Sequence, residues 1–452
     1  MAQDLMERYS RLIVDSDYID PARVEEYDVK RGLRDKNGKG VLAGVTTISS
    51  VVGVREENGA RIPVDGELCY RGYNVRDLVA GAVSRFSADG SADLYEETAF
   101  LLLFGKLPTK AELEEFRRTL VSFRTLPSNF TRDVIMKAPT KDLMNSLTKS
   151  VLTLQSYDDT VGDHALETQL QQCLRLIAVF PMLVIYAYHA FNYSVNGGNM
   201  YITRPEPDFS VGENILHMLR PDGVFTPLEA SVLDIALMLH MEHGGGNNST
   251  FTTRVVTSAG SDTYAVIAAA LCSLKGPKHG GANIKVMEMM QNIRENVTDL
   301  TDRDALREYL DKMLAGEVFD RKKLIYGMGH AVYSLSDPRA VVFKSFVQEL
   351  AEKKGREADF ALYRSVEELA TELIPQKRRI YKGVCCNVDF YSGFVYDMLG
   401  IPQELYTPLF AIARIVGWSA HRMEELVNGD KIIRPSYQSM VEKHDYVPLA
   451  ER

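Results

Sequence analysis

The chain has 452 residues, 45% apolar and 25% charged, an ordinary globular balance, and it exceeds the length one hydrophobic core usually serves, so two domains are expected. A formal net charge of −9 disfavours nucleic acid and acidic membranes as partners, although arginines gathered in a pocket can still take small anions. Five cysteines, at 69, 173, 272, 385 and 386, form neither a CxxC pair nor an even framework, which excludes a disulfide-built scaffold and fits a reducing compartment.

The opening "MAQDLMERYSRLIVDSDYID" mixes acidic with apolar residues and has no signal-peptide core, so a cytoplasmic location is expected. In "ISSVVGVREENGARIPVDGELCY", residues 48–70, β-branched runs flank Asn58-Gly59, the signal of a tight hairpin. "LIAVFPMLVIYAY", residues 176–188, is too short between Arg175 and His189 to span a bilayer and predicts a buried helix kinked at Pro181. From 226, Thr226, Pro227 and Glu229 supply an N-cap, an N1 proline and an N3 acid ahead of an apolar run that stops at Gly244. The same logic predicts a helix from the Asp262 cap to Gly276-Pro277, and another from Thr407-Pro408 to Asn428-Gly429. Residues 351–380 read as amphipathic surface helices. Helical periodicity dominates, so the fold class is mainly α with a small β-hairpin element near the N-terminus.

Several residues bear on chemistry. In "GPKHGGAN" His279 sits in a glycine-bracketed turn just before a helix. There added positive charge is disfavoured, so the imidazole is either a neutral donor or a turn residue shaped by packing. The two glycines at 280 and 281 allow unusual dihedrals and let a ligand approach the backbone. "GMGHAVYSLSDPRA" presents His330 and, after the Asp337-Pro338 turn, Arg339, a pair suited to a carboxylate bearing a neighbouring carbonyl; its two glycines are too few for a dinucleotide fingerprint. Asp389, between Val388 and Phe390, is either a satisfied structural carboxylate or a base made stronger by desolvation. Arg414 is apolar-flanked on every helical face, with Gly417 and His421 on its own face. Its charge requires a carboxylate from the protein or from a ligand. His240, Glu242 and His243 lack HExxH spacing, so no metal is assigned; the glycines at 244–246 let His243 project from a helix end.

Taken together, "GVLAGVTTISS", "LCYRGY", "HMEHGGGNNST", "GPKHGGAN", "GMGHAVYSLSDPRA", "NVDFYSG", "AIARIVGWSAH" and "KIIRP" resemble, in order across residues 41–435, the motifs of the citrate synthase family. The resemblance implies a large helical domain (1–283 and 394–452) with a small helical domain (284–393) inserted. It also implies a homodimer whose sites are shared, and the condensation of acetyl-CoA with oxaloacetate, with acetyl-CoA a substrate and no metal or redox cofactor. On it, Asp389 is the base and His279 the donor to the thioester oxygen. His330 polarises the ketone of oxaloacetate. His243, Arg339, Arg414 and, from the partner subunit, Arg434 bind oxaloacetate, and Leu324, Ile325, Tyr326, Gly327, Met328 and Gly329 recognise the adenine of CoA. Two departures stand out. Ser334 replaces a basic residue common in the family, which leaves Lys377, Arg378, Arg379 and Lys382 as candidates for the CoA phosphates, and "YKGVCCNVD" is an uncommon lead into the aspartate. The alternatives are a 2-methylcitrate synthase, whose preference for propionyl-CoA turns on one methylene worth only about 1–3 kcal/mol of discrimination, and a citryl-CoA lyase of the same family.

Overall fold

The computed structural model describes residues 2–35, 39–90, 93–378 and 383–452. It divides into two units at Val45. The first carries a helix at Ala2–Asp17, a second at Pro21–Glu26, and a short turn at Arg31–Leu33. The second, Thr46–Arg452, holds everything that follows.

Its β structure is one three-stranded antiparallel sheet in the order β1 (Ser49–Glu57), β2 (Ala60–Tyr70), β3 (Tyr73–Asn74). Asn58 and Gly59 both take positive φ, 52° and 79°, as a two-residue hairpin turn requires. The register shifts between Val52 and Val54, which places a bulge at Gly53. The third strand has only two residues, too few for an alternating pattern to announce it.

Helices make up most of the rest. Thr226 and Glu229 form the expected capping box on Pro227–His240, Asp262 caps Thr263–Leu274, and the helix foreseen from Thr407 starts one residue earlier, at Tyr406, and ends at Asn428. Leu166–Asn196 runs on through Pro181, although a proline inside a helix costs about 3 kcal/mol. The compensation is burial: residues from Cys173 to Phe191 are enclosed on nearly every face, packed against Leu143–Gln155 and Tyr406–Asn428. This helix is long and apolar enough to cross a membrane, but 89% of its most apolar window is buried inside the protein, which makes it a core helix. The Tyr406–Asn428 helix is buried from Tyr406 to Arg422 and forms the floor on which the candidate residues assemble.

Candidate active site

The expected face of that floor helix is real. Arg414, Gly417 and His421 all meet the segment 240–244. Arg414 Nε donates to the carbonyl of His240 at 2.7 Å, a Cβ at Gly417 would collide with the carbonyl of Met241, and His421 Nε2 lies 3.0 Å from Glu242 Oε1. Arg414 is completely buried, and neither of its terminal nitrogens has a hydrogen-bond partner among the described residues. Phe410 stacks beneath the guanidinium with 4.7 Å to the ring centroid. Burial pushes this arginine down to about 10, against the opposing influence of Glu242.

The three polar residues of "HMEH" turn to different partners. His240 Nδ1 contacts the carbonyl of Ala236 at 2.7 Å and its ring lies against Phe410, so burial holds it neutral, at about 3. Glu242 faces Ser49 Oγ at 2.9 Å and the amide of Gly244 at 2.5 Å. Burial alone would raise this carboxyl, but His421, Arg414 and Ser49 bring it down to about 2. His243 follows the helix end, where Gly244 at φ 86° turns the chain. Its Nε2 is buried without a partner among the described residues, and burial, with Arg339 and His330 close by, drives its pKa well below the usual value.

His330 meets His243 edge-on, with ring centroids 5.0 Å apart. Its Nδ1 accepts the amides of Val332 and Tyr333 at 3.1 and 3.2 Å, so the ring is the neutral tautomer with its proton on Nε2. Arg339 is buried and paired with Asp337, Nε to Oδ1 at 3.0 Å and a second nitrogen to Oδ2 at 2.7 Å. Burial would lower this guanidinium, but Asp337 holds it above its ordinary value. Asp337 also caps the helix Pro338–Lys354. For Arg339, then, an internal carboxylate is already present. For Arg414 it is not.

His279 lies in the turn between Thr263–Leu274 and Ala282–Asn296. Gly280 and Gly281 are not left-handed, so the dihedral freedom they allow is not used. Glycine is needed at 280 for space, because a Cβ there would lie 2.5 Å from the carbonyl of Leu274. His279 Nε2 is 3.0 Å from Ser249 Oγ, which receives the Trp418 indole N–H at 3.1 Å, so a buried tryptophan fixes the ring. Burial, aided by Arg414, lowers His279 to about 4.

Asp389 stands in the first turn of Val388–Met398, its amide donating to Asn387 Oδ1 at 3.0 Å. The carboxylate accepts no hydrogen bond among the described residues, and desolvation raises it to about 6 even though Arg339 and Arg414 act in the opposite direction. The loop before His330 is laced to this turn. The Gly329 amide donates to the carbonyl of Cys385 at 2.7 Å, the Asn387 amide donates to the carbonyl of Gly327 at 2.8 Å, and the Asn387 side chain donates to the carbonyl of Gly329 at 2.9 Å. Gly327, at φ 76°, has no room for a Cβ against Phe390 and Val286. The uncommon Cys385-Cys386 pair is thus buried backing for the aspartate turn.

Arg339 and Arg414 both act on His243 and on Asp389, Arg414 also acts on His279, and His330 meets His243, so these six residues are brought together, while Arg434 is exposed, with no polar partner among the described residues. Of the basic candidates for a phosphate, Lys377 pairs with Asp311 at 3.3 Å and Arg378 donates to the carbonyl of Lys323; Arg379 and Lys382 lie outside the described residues. Sequence reading missed Asp337 as partner of Arg339, although it stands two positions away. It also missed the chain Glu424/Glu425–Arg254–His421–Glu242, whose members are 167 or more residues apart across the Arg254–His421 link.

The chain is similar to known proteins along most of its length. The family described as "Citrate synthase, C-terminal domain" matches residues 35–436. The chain is 37% identical to a citrate synthase of Synechocystis, over 86% of this chain and 89% of that protein. It is 33% identical to a 2-methylcitrate synthase of Shewanella oneidensis, over 92% and 97%. Among solved structures it is similar to the citrate synthase of Thermoplasma acidophilum in ternary complex with carboxymethyl coenzyme A and oxaloacetate, with a TM-score of 0.74, 26% identity and coverage of 94% and 99%.

Proposed function

Because the chain belongs to the citrate synthase family, we propose that it condenses acetyl-CoA with oxaloacetate and water to give citrate and CoA. The observation that carries the reading is Arg414, a fully buried guanidinium with two unpartnered nitrogens. Leaving such donors unpaired is costly, and a substrate carboxylate is the group that answers two parallel N–H bonds. His243 and Arg339, with Arg434 of a partner subunit, complete the oxaloacetate shell.

Asp389 removes a proton from the acetyl methyl group. An aspartate brought up to about 6 is a stronger base than an exposed one and is still mostly ionised at neutral pH. Charge then develops on the thioester oxygen, where neutral His279 donates a hydrogen bond; one such donor is worth about 3–4 kcal/mol in related oxyanion sites. The new carbon nucleophile attacks the oxaloacetate ketone, polarised by the Nε2–H of His330; the resulting alkoxide becomes the citryl hydroxyl by gaining one proton, which balances the one Asp389 took from the methyl group and leaves His330 neutral. Water hydrolyses the citryl thioester and CoA leaves. The CoA adenine rests on residues 324–329, and Arg321, Lys322 and Lys323, which immediately precede that loop, with Arg378, which donates to the carbonyl of Lys323, take its phosphates. The small helical domain is residues 284–393, inserted into the large one, and the working unit is a homodimer.

The test is thiol release from acetyl-CoA and from propionyl-CoA, each with and without oxaloacetate and with and without a chelator. Oxaloacetate-dependent release, faster with acetyl-CoA and indifferent to the chelator, is expected. Faster release with propionyl-CoA moves the assignment to 2-methylcitrate synthesis, the activity named for the Shewanella relative. Absence of release with both, alongside cleavage of citryl-CoA, assigns the lyase direction.

A further inference from the structure

The β1–β2 hairpin touches both histidine loops of the site. On one side, Ser49 Oγ donates to Glu242 at 2.9 Å, the Tyr70 hydroxyl lies 3.0 Å from the carbonyl of Glu242 and 3.2 Å from that of Met238, and Val51 would crowd a Cβ on Gly244 at 3.1 Å. These contacts fix the chain on either side of His243. On the other side, the loop after His330 lies directly on the strands. The amide of Gly66 donates to Ser336 Oγ at 3.1 Å, and Ser336 Oγ donates to Asp65 at 3.1 Å. A Cβ on Gly53 would sit 2.7 Å from the carbonyl of Val332; one on Gly66 would lie 2.7 Å from the ring of Tyr333 and collide with the carbonyl of Ser336. Tyr333, 1% exposed, fills the space between. Its ring rests on the two glycines and stacks on His330 with centroids 4.7 Å apart and planes 22° apart, while its amide is one of the two donors to His330 Nδ1.

We propose that this hairpin is a positioning element of the active site, holding the His243 loop and the His330 loop in register on one strand pair. Gly53, Gly66 and Tyr333 together set the direction of the His330 Nε2–H. The inference rests on the reading of His330 as the group that polarises the ketone. The bulge at Gly53 and the bare backbone at Gly66 are then functional features: they let a loop lie flat on a sheet where side chains would lift it. A twisted hairpin pinned at both edges moves as a unit, so an error introduced at either glycine is passed to the imidazole rather than absorbed.

The experiment compares wild type with Gly53→Ala, Gly66→Ala, Tyr333→Leu and Tyr333→Phe in the full chain. Three quantities are read: kcat and KM for each substrate, the thermal midpoint, and the tautomer of His330 by nitrogen-15 NMR on histidine-labelled protein, with the signal assigned by its loss in His330→Asn. A reactive group misplaced by about 1 Å costs about 100-fold in rate, so the two alanine variants and Tyr333→Leu should lose roughly 10- to 100-fold in kcat with KM for acetyl-CoA unchanged. Their His330 signal should change from a single Nε2–H form to a mixture, and Tyr333→Phe, which keeps the ring, should restore both properties. Should Gly66→Ala fail to fold, Gly53→Ala and Tyr333→Leu decide. Folded variants with wild-type kcat and an unchanged His330 signal overturn the proposal. A wild type without turnover, whose single tautomer is nevertheless lost in the variants, refutes the reaction and leaves the positioning intact.

Discussion

Asp389→Asn should stop turnover and make the protein more stable, and the stability gain should have a pH dependence of known sign. The carboxyl is raised from an ordinary 3.8 to about 6 in the folded protein, chiefly by desolvation. A shift of about 2 units corresponds to roughly 3 kcal/mol, the order by which ionising this group at neutral pH opposes folding. Because the folded value is the higher one, the favourable contribution of the protonated acid is fully present below about pH 4 and is lost as pH rises to 6. Asparagine does not ionise. Urea unfolding at fixed protein concentration should therefore show the variant and the wild type differing least near pH 4 and the variant ahead by up to about 3 kcal/mol at pH 7. Over the same range kcat/KM of the wild type should fall about tenfold per unit below pH 6, as the base is protonated. A gap that stays constant across this range, or an asparagine variant less stable at pH 7, would refute desolvation as the origin of the basicity.

Two further outcomes follow from the same geometry. Arg414→Met, which removes a buried charge whose two terminal nitrogens have no partner, should raise the thermal midpoint. It should also weaken oxaloacetate binding at least about 100-fold by calorimetry, since two charge-assisted hydrogen bonds are worth about 1.5–3 kcal/mol each. Unchanged affinity would mean that its unpaired nitrogens do not face the substrate. Heterodimers of Arg434→Ala and Asp389→Ala subunits should regain one working site while each parent homodimer remains inactive; confirmed heterodimers without activity would remove Arg434 from the partner's site.

The parts of the fold that announce themselves locally were legible in the sequence. Asn58-Gly59 required a hairpin, Thr226 with Glu229 required a helix start, and both are present. Two more capping boxes, Thr109 with Glu112 and Ser210 with Glu213, carried the same signal and could have been read the same way. The two-residue strand β3 could not, because it exists only through pairing with Cys69 and Tyr70. In the site, the motif residues were readable, but whether Arg339 or Arg414 had an internal counter-ion was not. A buried arginine looks the same in sequence with and without one. Asp337 answers Arg339, whereas Glu242, the carboxylate that acts most strongly on Arg414, is engaged by Ser49 and Gly244 and faces His421.

That difference suggests how the site keeps a binding charge available in a dry interior. If Glu242 were free to swing onto Arg414, the pair would satisfy itself and no group would remain to be answered by a substrate. Instead one carboxylate oxygen, Oε1, is held by Ser49 and by the amide of Gly244 with His421 Nε2 3.0 Å away, and Arg254 donates to Nδ1 on the far side of that ring. Glu242 thus stays ionised and close enough to keep Arg414 charged, yet gives it no hydrogen bond. Asp389 is handled by the opposite means: it is given no tie at all, so its charge is expensive and its affinity for a proton high. One buried region therefore holds a guanidinium whose two terminal nitrogens have no partner among the described residues and a base that accepts no hydrogen bond there.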